Sequence, residues 1–167
     1  MTDTRILGTL RALDDGKGAV RMEDVYDAGI DELWSAVTDP ERLARWLVEV
    51  TGDLRVGGAI EARFTSSWTG AGRIDVCESP DHLLVTMSPG ARDETVIEAW
   101  LTAEGDRTRL VVEERGIPVP ELAGHGSGWQ AHVEDLATHL SGGDRRDWHD
   151  RWLELTPAYE PLAEDLA

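Results

Sequence analysis

Between Ile60 and Glu113 the chain alternates apolar and polar residues with a period of two, in five separate segments. Ile60, Ala62 and Phe64 alternate with Glu61 and Arg63. Ile74 and Val76 alternate with Arg73, Asp75 and Cys77. Leu83, Val85 and Met87 share one parity. Ile97, Ala99 and Leu101 alternate with Glu98 and Trp100, and Leu110 and Val112 with Arg109, Val111 and Glu113. Successive side chains of a strand point to opposite faces, so each segment reads as a strand with one face buried. The connectors are short and carry turn residues: Gly70 to Gly72, Ser79-Pro80-Asp81, Ser88-Pro89-Gly90 and Glu104-Gly105-Asp106. Short connectors join antiparallel neighbours and cannot make parallel crossovers, so the segments form a meander. Its apolar face needs a cover. Pro118 to Leu140, with Leu122, Trp129, Val133, Leu136 and Leu140 on one stripe, is the only helical pattern large enough. The expected class is α+β, a helix laid on an antiparallel sheet.

The flanks fit around this unit. Ile6 to Leu13 and Ala19 to Tyr26 read as two strands joined by the turn Asp14-Asp15-Gly16-Lys17-Gly18. Ile30, Leu33, Trp34 and Val37 place one apolar stripe on a short helix from Ile30 to Thr38, with Asp31 and Glu32 in its first turn. Asp39-Pro40 stops that helix and opens a second, from Pro40 to Leu47. Gly124, Gly126 and Gly128 weaken the first half of the long helix, each by about 1 kcal/mol relative to alanine, and Gly142-Gly143 ends it. The expected organisation is one domain over residues 1–143, with a hairpin arm at 1–19, and a charged helical extension over 144–167. In the extension Trp148, Trp152 and Leu155 form one stripe. Trp100 stands on the outward parity of its strand. These two apolar surfaces are expected to cover each other or a second copy of the chain, a homodimer formed through the extension.

Charge narrows the partners. Sixteen Lys and Arg stand against 33 Asp and Glu, a formal net charge of −17, which repels nucleic-acid backbones and anionic membranes. The polar start Met1-Thr2-Asp3-Thr4-Arg5 leads into no apolar run of signal or membrane length. A single cysteine, Cys77, gives no internal disulfide. The expectation is a cytoplasmic protein without nucleic-acid or membrane partners.

His125, His132 and His139 recur every seven residues, near one helical face. Seven residues rise about 10.5 Å, too far for two of them to share a metal ion. The closer pairs, Glu121 with His125 and Asp135 with His139, have no evident third ligand, so no metal is expected. Ser127 follows no strand-to-elbow pattern, Cys77 has no flanking base, and neither a dinucleotide fingerprint nor a phosphate loop occurs. No catalytic residue and no cofactor is assigned. Glu114 continues the inward parity of Leu110 and Val112 if the strand reaches it. A carboxyl buried there is expected to titrate high. Trp68, in Ser66-Ser67-Trp68-Thr69-Gly70, either anchors a loop or caps a cavity mouth.

Tyr26-Asp27-Ala28-Gly29-Ile30-Asp31-Glu32-Leu33-Trp34 resembles the strand, turn and Trp-bearing helix that open START-like (SRPBCC) proteins. Thr38-Asp39-Pro40-Glu41-Arg42-Leu43-Ala44-Arg45-Trp46 is similar to a segment of the group related to the activator of heat-shock-protein-90 ATPase. Gly57-Gly58, Gly72-Arg73-Ile74, Thr108-Arg109-Leu110 and Gly128-Trp129 follow in that group's order, and the likeness runs from Val20 to Leu140. It implies a helix-grip fold: a curved antiparallel sheet around a long C-terminal helix, two small helices closing one end, and between them a cavity for a small apolar ligand. The cavity is expected near the helices of Trp34 and Trp46, walled by Trp46, Phe64, Met87, Ile97 and Trp129, with Glu114 and His132 as its polar groups. Three functions are compatible with the family: apolar-ligand binding without catalysis, the leading expectation; a cyclase- or dehydratase-like enzyme on an aromatic or polyketide-like substrate; and a co-chaperone-like interaction domain.

Overall fold

The computed structural model describes residues 5–166, so the first four residues of the expected arm lie outside it. In chain order the elements are β1 (Gly8–Ala12), β2 (Lys17–Tyr26), α1 (Ile30–Thr38), α2 (Pro40–Trp46), β3 (Val48–Gly52), β4 (Ala59–Phe64), β5 (Thr69–Glu78), β6 (His82–Met87), β7 (Thr95–Glu104), β8 (Arg107–Pro118), a 3-10 turn (Val119–Glu121), α3 (Leu122–Leu140) and α4 (Trp148–Glu164). The strands make one antiparallel sheet in the order β1-β2-β8-β7-β6-β5-β4-β3. After β2 the chain crosses through α1 and α2 to the far edge, then returns strand by strand until β8 pairs with β2. The sheet grips α3, which is the helix-grip arrangement of the START-like class.

Local chemistry explains the elements. Asp15 and Gly16 both take positive φ, as a tight hairpin turn requires. Asp39 caps α2 by accepting from the Glu41 amide at 3.0 Å, and Pro40 supplies the first helical residue. Leu101, Leu110, Val112, Val133 and Leu136 are buried between sheet and helix, where the alternation and the helical stripe meet. No described helix is long and apolar enough to cross a membrane.

Four expectations need correction. Six strands, not five, follow α2. The extra one, β3, is a five-residue edge strand whose Val48 and Val50 do alternate with Glu49, but it follows α2 so closely that it reads as the helix's tail. In β5 a bulge pairs Ile74 with Val85 but Val76 with Leu84. The extra residue reverses the parity, so Val76 joins the outer face and Cys77 the inner one. Third, Pro118 ends β8 rather than starting the helix. Gly116, at φ 95°, takes up a bulge between β2 and β8, and Ile117 beyond it is fully buried. The fourth correction concerns the extension. Trp100 is not covered by it but stacks on His82 of β6, ring centroids 6.1 Å apart.

Instead α4 lies along α3, and the three glycines admit it. The Trp152 indole donates to the Gly124 carbonyl at 2.9 Å, and that of Trp148 to Gly128 at 3.2 Å. A Cβ on Gly126 would stand 2.6 Å from the ring of Tyr159, whose hydroxyl donates to Gln130 at 2.6 Å. Arg151 adds a pair of bonds to Glu134 at 2.6 and 2.8 Å. The stripe that invited a second subunit is therefore turned onto α3.

Candidate functional site

A cavity of about 310 Å³ opens between the sheet and the N-terminal half of α3. That is roughly the liquid volume of ten waters, at the small end of ligand sites. Phe64, Met87 and Ile97 line it from β4, β6 and β7, and Trp129 and His132 from α3. Trp148 of α4 reaches it beside them. Trp68, 42% exposed, stands at the mouth with its ring 5.6 Å from that of Phe64.

Of the expected site residues, the structure brings Phe64, Met87, Ile97, Glu114, Trp129 and His132 to this one space. Trp46 is elsewhere. It is 2% exposed, and its indole donates to the Ala36 carbonyl at 2.9 Å, locking α2 to α1. No residue of α1 or α2 lines the cavity, which lies toward the opposite end of α3 from the one expected. The cause is packing: the α1–α2 end is filled by Leu33, Ala36 and Trp46, all buried.

The polar wall is built on Glu114. Its register places it opposite Ile97 on β7 and Val20 on β2, facing the helix. Thr95 donates to its Oε2 at 2.8 Å; the Trp129 indole at 2.9 Å and His125 Nδ1 at 3.2 Å meet its Oε1. Burial pushes this carboxyl up, as expected from the sequence, but the His125 bond and charge and the two neutral donors outweigh it and hold Glu114 below the usual carboxylate range. The expected protonated acid is an ionised one. Reciprocally, burial pulls His125 down, and the Glu114 bond and charge more than restore it, so its imidazole titrates above the ordinary range.

His132 has the other fate. It is 5% exposed and packed among the rings of Phe64, Trp129 and Trp148 at 6.2, 5.8 and 5.5 Å. Burial pushes its pKa down to about 3, so it is a neutral aromatic piece of wall. The polar partner of Glu114 is thus His125, one helical turn before Trp129. Its signal was present in the sequence: His125, Trp129 and His132 recur at i, i+4 and i+7 on one helix face. Thr95 and Trp148 had no comparable signal, because neither shows its partner until the sheet register and the α3–α4 packing are known.

A second, larger cleft of about 540 Å³ is lined by Arg5, Asp24, Gln130, Glu134, Arg146 and Arg151 among others. It is open and polar, and its charges are engaged with one another: Arg151 with Glu134 and Glu154, Arg146 with Glu154, and Arg5 with Asp24. The smaller, aromatic cavity has the better form for a ligand, with mostly apolar walls around the Glu114 cluster.

Comparison with known proteins agrees with this architecture. CalU16 from Micromonospora echinospora superposes with a TM-score of 0.78 in its crystal structure, at 30% identity over 93% of this chain and 96% of that one. Its solution structure gives the same score at 26% identity, over 99% of both chains. DynU16, described as a protein in the dynemicin biosynthetic locus, matches at 0.70 and 30% identity, over 77% of this chain and 50% of that one. No match is found among curated proteins. The sequence profile of the Activator of Hsp90 ATPase homolog 1-like protein family matches residues 27–141, from the turn before α1 to the end of α3, and the chain belongs to that family, within the START-like superfamily.

Proposed function

We propose that this protein binds a small, mostly apolar molecule in the cavity between the sheet and α3, and does so in the cytoplasm. The observation that carries the reading is the division of the cavity's surface. Phe64, Met87, Ile97, Trp129 and Trp148 offer apolar area, while buried Glu114 and half-buried His125 form a fixed polar pair among them. Area supplies affinity, and a fixed polar group supplies orientation. The similarity to a protein of the dynemicin biosynthetic locus supports a ligand drawn from small-molecule biosynthesis. The test is native mass spectrometry of the protein from its own host, beside an Ile97→Trp variant. The larger side chain occupies the space in front of Glu114, so the folded variant loses a co-purified molecule that the parent retains. Equal loading of the two proteins defeats the reading.

One observation favours a second function. A carboxylate holding one imidazole nitrogen beside an apolar cavity is also the arrangement that positions a general acid–base. A cyclase- or dehydratase-like enzyme would use it on an aromatic or polyketide-like substrate. Turnover of the co-purified molecule, abolished in His125→Gln, is the result that selects this reading over binding alone.

A further inference from the structure

The cavity has several polar groups, but most are already committed. Thr95 donates to Glu114, the Trp129 indole does the same, and the Trp148 indole donates to the Gly128 carbonyl. Glu114 itself receives three donors, close to the four that a carboxylate accepts. His125 differs. Its Nδ1 is held by Glu114, and no described residue bonds Nε2, the nitrogen across the ring. The side chain lines the cavity and is 39% exposed.

Glu114 also fixes what that nitrogen can do. An ionised carboxylate only accepts, so Nδ1 keeps its proton in both charge states of the ring. Nε2 is therefore a donor when the imidazole is charged and an acceptor when it is neutral. The surroundings hold the charged form. Glu114 faces the ring from β8, and Glu121 of the 3-10 turn adds its charge. Asp93, on the loop before β7, lines the same cavity, and His132 of α3 is neutral. The two rim acids oppose a ligand anion and the imidazolium opposes a ligand cation, which leaves a neutral acceptor as the complement.

We propose that His125 is the ligand anchor of this cavity, held through Nδ1 by Glu114 and donating Nε2–H to the carbonyl oxygen of an uncharged, flat, apolar molecule. The inference rests on the cavity being the binding site, and the experiment separates the two. Four probes share one bicyclic body: 1-acetonaphthone, its hydrocarbon counterpart 1-ethylnaphthalene, 1-naphthoate and 1-naphthylmethylammonium. Binding is read by quenching of tryptophan fluorescence and by ligand-observed NMR.

At about pH 6, below the raised His125 titration, the ketone binds about tenfold or more tighter than the hydrocarbon and tighter than either ion. The preference falls toward parity at about pH 9.5, as Nε2 loses its proton, and it is absent in His125→Asn, whose shorter amide takes the place of Nδ1 on Glu114 and leaves no donor at the position of Nε2. The proposal is overturned if ketone and hydrocarbon bind alike at the lower pH. It is equally overturned if the preference survives at the higher pH or in the variant, or if a charged probe binds best. The pH series on the unaltered protein decides the matter even if His125→Asn is poorly folded. If no probe binds in a way that Ile97→Trp abolishes, the cavity is not the site, and the reading beneath the proposal fails with it.

Discussion

Alanine in place of glycine inside a helix ordinarily stabilises it by about 1 kcal/mol, and α3 offers two glycines at which that gain meets different surroundings. At Gly124 an added Cβ would lie 3.7 Å from the Trp152 ring, an ordinary contact. At Gly126 it would lie 2.6 and 2.9 Å from two ring carbons of Tyr159 and 3.2 Å from Leu10. Tyr159 is fully buried and cannot swing aside without breaking its hydroxyl's bonds to Gln130, at 2.6 Å, and to the Gly8 amide, at 3.1 Å. Overpacking of that kind costs about 1–3 kcal/mol. The propensity gain is common to both sites and cancels in the comparison. Gly126→Ala should therefore be about 1–3 kcal/mol less stable than Gly124→Ala, which for a chain of this size is a difference in Tm of roughly 2–12 °C. Urea and thermal unfolding followed by circular dichroism read it directly. In a Tyr159→Ala background the obstructing ring is gone, and Gly126→Ala should become neutral or stabilising. Equal effects at the two glycines, or a Gly126→Ala cost that persists without Tyr159, would refute the close approach of α4 to α3.

The remaining expectations concern the core, the extension and pH. Leu136 is fully buried at the centre of the helix–sheet interface, so Leu136→Ala should cost about 2–5 kcal/mol in urea unfolding; a cost below 1 kcal/mol would point to a loosely filled interface. A chain ending at Gly143 loses Leu155 and Tyr159, both fully buried, together with the Arg151–Glu134 bonds. It should melt well below the parent or aggregate, and an unchanged Tm would mean that α4 contributes nothing to the fold. For pH, the sign follows from the two shifts. Glu114 titrates below its unfolded value, so its contribution is present above the ordinary carboxylate range and lost as pH falls through the folded value; His125 titrates above its unfolded value, so its contribution is present below the ordinary imidazole range and lost as pH rises through the folded value. The stability difference between the parent and His125→Gln should accordingly peak at about pH 5–6, between the two ordinary values, and shrink on both sides. A difference that is flat with pH would show that the two groups do not form an ion pair. The acid sensitivity due to His132, neutral in the fold, is common to both proteins and cancels.

Most of the fold was legible because burial on one face leaves a period in the sequence. Ile60, Ala62, Ala99, Leu101, Leu110 and Val112 are buried on the parity that the alternation assigned. The misreadings at Val76 and Cys77 come from a bulge, and a one-residue insertion is silent in a pattern whose only information is odd or even. Glu114 shows the same limit in its chemistry. Its parity was readable, and so was the cost of burying a carboxyl. What sets its charge is the number of donors that reach it, and these come from β7 and from two turns of α3. Thr95 is 19 residues away in the chain and Trp129 is 15, and no local rule joins them. The glycines of α3 make the point in reverse. Read within one helix, Gly124, Gly126 and Gly128 are three weak positions. Read against α4, they are where a second helix brings its indoles and its buried tyrosine up to the backbone. The local cost in helix propensity is offset by apolar area that the local sequence does not contain. A position that looks unfavourable within its own element is therefore a sign that another element packs there, and in this chain the extension after Gly143 is what packs on these glycines.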